Sequence, residues 1–130
     1  MKVREIMNKP KVVESSATVK EAASIMAKNK IGFLIVVEGK KLLGLISERD
    51  ILSKVSAKDK LPSKVKVKDV MVYDLVTIGP NDPLDDAAHL MTKNHIKKMP
   101  VLDSGELVGV ITSTDVINNS DEIGQHFIFE

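Results

Sequence analysis

Two stretches of this 130-residue chain place a hydroxyl and an acid at the same spacing after an apolar run: Gly44-Leu-Ile-Ser-Glu-Arg-Asp50 and, 65 positions later, Gly109-Val-Ile-Thr-Ser-Thr-Asp115. Ser47 and Thr112 are helix N-cap types at the ends of predicted strands, so a short helix is expected after each. A helix start presents free backbone N–H groups and partial positive charge, which suits a phosphate. One turn in, Asp50 or Asp115 can accept two hydrogen bonds from a ribose diol, as the ribose-binding acid of dinucleotide folds does. The same spacing also fits a capping box, in which the acid bonds back to the N–H of its own cap. For one copy the capping box is the favoured reading, and the duplication at matching places in a longer repeat shifts the balance toward a nucleotide grip.

No other constellation competes with that pair. There is no Gly-rich phosphate loop, no dinucleotide fingerprint and no nucleophile–base–acid trio, so no enzyme activity is expected. His89, His95 and His126 lack metal-ligand spacing, and with no cysteine there is no thiolate site or disulfide. A composition of 43% hydrophobic and 28% charged residues with net charge +1 describes an ordinary soluble domain. No apolar run reaches the roughly 20 residues of a membrane span and the start lacks a signal-peptide core, so a cytoplasmic protein without membrane attachment is expected. Residues 1–65 hold 14 basic and 7 acidic side chains and residues 66–130 hold 5 and 11. Much of the basic excess is lysine on solvated faces, such as Lys54, Lys58, Lys60 and Lys64, and nucleic acid is not an expected partner.

The elements that must position the two boxes are repeated as well. Val3-Arg-Glu-Ile-Met7 matches Val67-Lys-Asp-Val-Met71 and Val12-Val13 matches Val76-Thr77 at a shift of 64, and from Val19 and Leu84 onward the shift is 65. Each repeat reads as strand, helix, strand, strand, helix. Thr18-x-x-Glu21 is a capping box, and Asp82-Pro83 places a cap before proline at the first helical position. Val19, Ala22, Ala23, Met26 and Leu84, Ala87, Ala88, Met91 then form one apolar stripe per helix, and Asn29 and Asn94 stand where a left-handed end is wanted. Ile25 and Ala27 widen the first stripe beyond one contact surface, which points to a further helix or a second subunit. Strands are expected at residues 31–38, 41–46, 99–103 and 107–111, with turns at Gly39-Lys40 and Asp103–Glu106. Residues 53–66 join the repeats, and the tail Gln125–Glu130 alternates like a strand.

The order of elements, the repeated box and the small-residue first helix resemble a tandem pair of CBS (cystathionine-β-synthase-type) domains, a Bateman module, over nearly the whole chain. The resemblance implies an α/β (α+β) fold of two β-α-β-β-α repeats, residues 1–62 and 63–130, packed with pseudo-twofold symmetry around two clefts. It implies an adenosine-containing ligand (AMP, ADP, ATP or S-adenosylmethionine), no required cofactor, a homodimer and a regulated partner protein. No catalytic domain is attached, so a stand-alone sensor is expected; the alternative is a structural interaction module with empty clefts. By the family's motif, Asp50 and Asp115 are ribose-binding acids, and Ser47, Thr112 and Thr114 contact ribose and phosphate. Arg49 replaces a usual hydroxyl and could grip a phosphate. Lys97-Lys98-Met99-Pro100 resembles a basic pair before proline near phosphate, where the first repeat has Gly32-Phe33-Leu34-Ile35. Val12, Val13, Val76 and Thr77, with Met99 and Pro100, line the implied adenine pocket.

Overall fold

The computed structural model describes residues 1–119. Along the chain its elements are β1 (Val12–Glu14), α1 (Val19–Asn29), β2 (Phe33–Glu38), β3 (Lys41–Ser47), α2 (Glu48–Lys54), α3 (Leu84–Asn94), β4 (Lys98–Asp103), β5 (Glu106–Thr112) and α4 (Ser113–Asn119). The expected tail strand lies outside the described residues. Short 3-10 turns occupy Val3–Glu5, Ser56–Lys58, Pro62–Lys64 and Val67–Asp69. This is the repeated mixed α/β architecture expected from the sequence.

The start of α1 follows its chemistry. The Thr18 hydroxyl accepts from the Glu21 amide at 3.2 Å, and the Glu21 carboxylate accepts from the Thr18 amide at 3.4 Å. The two asparagine ends differ from expectation. Lys30 and His95, each at φ 54°, are the left-handed residues. Asn29 and Asn94 are the last helical residues, and their side-chain amides donate to the carbonyls of Ile25 (2.8 Å) and Leu90 (2.9 Å). Having satisfied a carbonyl one turn back, each asparagine stays helical and the reversal passes to its neighbour. The amides of Ile31 and Ile96 then close onto the carbonyls of Met26 and Met91, both at 3.0 Å. At the start of α3, Pro83 rather than Asp82 holds the cap position. The Asp82 carboxylate instead accepts from the Gly79 amide at 2.8 Å, which closes the turn before the helix.

The chain divides into two compact units, and these are out of step with the sequence repeats. The first unit is Lys11–Leu75; the second is Met1–Pro10 together with the chain from Val76 onward. In the first, β1 runs parallel to β2 and β2 antiparallel to β3, with a bulge at Val36/Val37. Leu34 to Val37 are buried in succession, as a central strand requires. Val13, Val19, Ala22, Met26, Leu34, Val36 and Ile46 meet Val67, Val70 and Met71 in its core. Burying an aliphatic side chain of this size contributes about 1.5–3 kcal/mol, more than a cap, so the apolar stripe decides which face of α1 turns inward. Val67 is held by its amide on the Ala17 carbonyl at 2.9 Å, and Val72 exchanges two backbone bonds with Leu45 at 2.8 and 3.1 Å. That crossing explains Gly44: a Cβ there would stand 2.5 Å from the Val72 carbonyl oxygen.

The second unit repeats the plan with the N-terminal segment in the role of residues 65–75. Val3 is fully buried with Ile78, Leu84, Ala87, Ala88, Met91, Met99, Val101, Ile111 and Val116. Asn8 exchanges two backbone bonds with Val110, both 2.9 Å, and a Cβ on Gly109 would meet the Met7 sulfur at 2.6 Å. β4 and β5 form a hairpin whose turn has Ser104 at φ 52° and Gly105 at φ 83°. The strand expected around Val76-Thr77 shrinks to a single parallel bridge, Ile78 to Val101. Gly79 and Pro80 follow at once, and proline has no N–H to extend a ladder.

Candidate functional site

Both hydroxyl–acid boxes form. In the first unit the Ser47 hydroxyl accepts from the Asp50 amide at 3.3 Å, while Asp50 Oδ2 accepts from the Ser47 amide at 2.9 Å and hydroxyl at 3.0 Å. In the second, Thr112 Oγ accepts from the Asp115 amide at 3.2 Å, and Asp115 Oδ2 accepts from the Thr112 amide at 3.0 Å and hydroxyl at 2.8 Å. Each box therefore spends one carboxylate oxygen on its own cap. The boxes differ in what else reaches the acid.

Asp50 Oδ1 is paired with the Lys54 ammonium at 3.1 Å, and Lys54 also donates to the Val70 carbonyl at 2.9 Å. Lys54 is thus a clasp rather than the solvated lysine expected from the charge pattern. Asp115 instead receives Asn8 Nδ2 on Oδ2 at 2.7 Å, a contact across 107 positions of sequence. Its Oδ1 takes no hydrogen bond from the described residues. Asp50 is buried at 6% exposure, whereas Asp115 is half-buried.

The helix starts are less open to an anion than a free terminus. The amides of Glu48 and Ser113 already donate to the carbonyls of Gly32 (2.9 Å) and Lys97 (2.8 Å). With Asp50 and Asp115 bonded to their caps, at most one first-turn amide remains in each helix, that of Arg49 and that of Thr114. Charge for a phosphate must come mainly from side chains.

The second unit gathers its candidates at one end of its hairpin. Lys98 stands opposite Thr112 in the β4–β5 register, and the Lys97 carbonyl holds α4. Because Ile78 bridges Val101 in parallel, Val76 and Thr77 run toward the same end. Thr114 is exposed on the first turn of α4. In the first unit, Phe33 stands opposite Ser47 and Arg49 is exposed on α2. Of the pocket candidates, Val12 is 44% exposed and Val76 and Thr77 are half-buried, while Val13 and Met99 point into the two cores and Pro100 is buried. The groups that sequence reasoning passed over are Asn8 and Lys54. The i,i+4 spacing of Asp50 and Lys54 was a readable signal for the second, and nothing local marks the first.

A separate, mostly apolar groove of about 420 Å³ lies between α1 and α2, lined by Ala23, Met26, Ala27, Ile31, Ile51 and Leu52 together with the charged Lys30 and Glu48. Leu52 is 65% exposed, and its repeat counterpart Ile117 on α4 is 39% exposed. His89 and His95 are exposed, and no cluster of metal-ligating side chains occurs among the described residues. No helix among them is long and apolar enough to cross a membrane.

The family model described as "CBS domain" matches residues 3–57 and 67–122. The chain is similar to the uncharacterized protein MJ0450 of Methanocaldococcus jannaschii, with 35% identity over 91% of this chain and 65% of that one. It shares 35% identity with the CBS domain-containing protein YhcV of Bacillus subtilis, over 82% of this chain and 76% of that one. A match at 34% identity to inosine-5'-monophosphate dehydrogenase of Nitrosopumilus maritimus spans 89% of this chain and only 23% of the enzyme. Among solved structures, the CBS domain pair of protein MJ0100, in complex with 5'-methylthioadenosine and S-adenosyl-L-methionine, superposes with a TM-score of 0.80 at 32% identity, covering 91% of this chain and 94% of that one. A hexameric CBS-CP12 protein from bloom-forming cyanobacteria gives a TM-score of 0.81 at 29% identity, over 95% of this chain and 74% of that one.

Proposed function

The chain belongs to the CBS-domain family, as a pair of its domains, and from that premise we propose that it is a regulatory module that binds an adenosine-containing ligand and reports its presence to a partner protein. The candidates are AMP, ADP, ATP and S-adenosylmethionine. One observation carries the reading: Asp115 is fixed by three donors on Oδ2, and among the described residues nothing donates to its Oδ1, which leaves that oxygen to accept from a ribose diol. Thr112, Thr114, Lys97 and Lys98 at the same end supply hydroxyls and positive charge for ribose and phosphate, and Val76 and Thr77 offer an edge for the base. The adenosine compounds in the MJ0100 complex support that ligand class. The match within a dehydrogenase supports a regulatory role, since the matched part is a fraction of that enzyme. The module works in the cytoplasm and carries out no reaction of its own.

The runner-up, an interaction module without a ligand, has the closed capping boxes in its favour. A melting-temperature panel with the four candidate ligands decides between them. A ligand at 100 times its Kd adds about 2.7 kcal/mol to stability, so binding gives a plain upward shift. No shift with any of them favours the runner-up. We also propose that the α1–α2 groove is the seat of a homodimer, on the strength of Leu52 and Ile117 exposed at equivalent places. Light scattering on Leu52→Glu tests this: the wild type should give twice the 14.3 kDa chain mass and the variant the chain mass itself. A monomeric wild type at micromolar concentration refutes the dimer.

A further inference from the structure

Both oxygens of the Asp50 carboxylate are in use within its own unit. Oδ2 holds the amide and hydroxyl of Ser47, and Oδ1 holds the Lys54 ammonium, which also spans to the Val70 carbonyl. A ribose diol brings two neutral hydroxyls. To reach Asp50 it must compete for Oδ1 with a charge-assisted bond to a buried acid, held in place by the ammonium's second bond to the Val70 carbonyl, a competition that favours the cation. The repeat offers an internal control. Sixty-five positions on from Lys54 stands Asn119, whose side-chain amide turns to the Asp115 backbone carbonyl at 2.6 Å and brings no charge to the carboxylate. The other neighbour, Asn8, donates to the oxygen already committed to the cap. Among the described residues, one repeat thus closes its acid with a cation, and the other steadies its acid with an amide and keeps one oxygen open.

We propose that Lys54 is a specificity-determining residue, a built-in cation that occupies Asp50 so that only Asp115 of the two repeated acids takes a ribose. The inference rests on the adenosine-ligand reading and deepens it by assigning the ligand to one box. Titration calorimetry of the full chain with AMP tests it. The wild type should bind one AMP per chain, and Asp115→Asn should bind none. Lys54→Met, which keeps the side-chain length without the charge, should bind two, and Lys54→Arg, which keeps the charge, should bind one. Lys54→Met combined with Asp115→Asn should bind one again, now at Asp50. Lys54→Gln serves in place of Lys54→Met if the latter does not melt cooperatively. Two equal sites in the wild type, or a single site in folded Lys54→Met and Lys54→Gln, overturn this assignment alone. Absence of AMP binding in every form overturns the ligand reading as well. A ligand-free readout addresses the clasp itself: acetic anhydride, followed by mass spectrometry, should modify Lys54 more slowly than Lys58 and Lys60, and Asp50→Asn should abolish that protection. Equal reactivity in the wild type overturns the clasp.

Discussion

The first unit and the second unit build the same box at the same place and finish it from different directions. Asp50 is closed from within its own helix by Lys54, four residues on; Asp115 is steadied from the far end of the chain by Asn8. The backbone crossing shows the same split. Gly44 faces the carbonyl oxygen of Val72 at 2.5 Å, whereas Gly109 faces first the thioether sulfur of Met7 at 2.6 Å, on a flexible side chain, and meets the Asn8 carbonyl oxygen only at 3.2 Å. A duplicated motif therefore preserves local geometry, while the surroundings, free to diverge, decide what each copy can hold.

The comparison can be broken hardest at the glycines. Gly44→Ala forces a methyl group against backbone and should cost about 3 kcal/mol, the upper end for overpacking, whereas Gly109→Ala should cost about 1 kcal/mol. Urea midpoints of the two variants check this, and equal shifts would mean that the two crossings are equally tight. Next comes Asp115→Ala, which should weaken adenosine-ligand binding by roughly 1.5–3 kcal/mol, the usual worth of hydrogen bonds to a charged group. Calorimetry decides: a lowered melting temperature with unchanged affinity would reduce Asp115 to a capping residue. Thr18→Ala should cost about 1 kcal/mol, since α1 loses a reciprocal cap that α3 lacks. The smallest effect is that of Lys54→Met on stability, about 1 kcal/mol or less, because the lysine side chain is 43% exposed and its ion pair is screened. The loss should shrink in 1 M salt, and a loss that salt leaves unchanged would show that the bond to Val70 matters more than the charge.

What the sequence made legible is what local chemistry controls. The Thr18 box, the two hydroxyl–acid boxes, the apolar stripes and the hairpin turn each depend on residues a few positions apart. The asparagine ends were misplaced by one residue because a side chain that reaches back to its own helix competes with the left-handed conformation, and composition does not reveal which prevails. Asn8 was invisible for another reason: its partner lies 107 positions away, and nothing near it marks the contact. Lys54 sat in plain view at an i,i+4 spacing, but among so many lysines it read as one more solvated charge. The repeat register did imply that residues 1–10 and 65–75 play equivalent parts. Which unit each would join is a matter of topology, which periodicity does not encode.

The placement of the N-terminal segment has a consequence for how the chain is made. Met1–Pro10 is made before Lys11–Leu75, yet its partners, Pro80, Asp82 and Val110, come about 70–100 residues later. At roughly 5–20 residues per second this segment waits about 4–20 s with Val3, Ile6 and Met7 uncovered, while Lys11–Leu75 already has every strand, helix and turn of its own unit. Synthesis thus has a fixed order: the first unit can close on the nascent chain, and the second can close only when Pro80, Asp82 and Val110 have joined Met1–Pro10. A chain ending at Leu75 and released from the ribosome should resist protease across Lys11–Leu75 and be cut within Met1–Pro10.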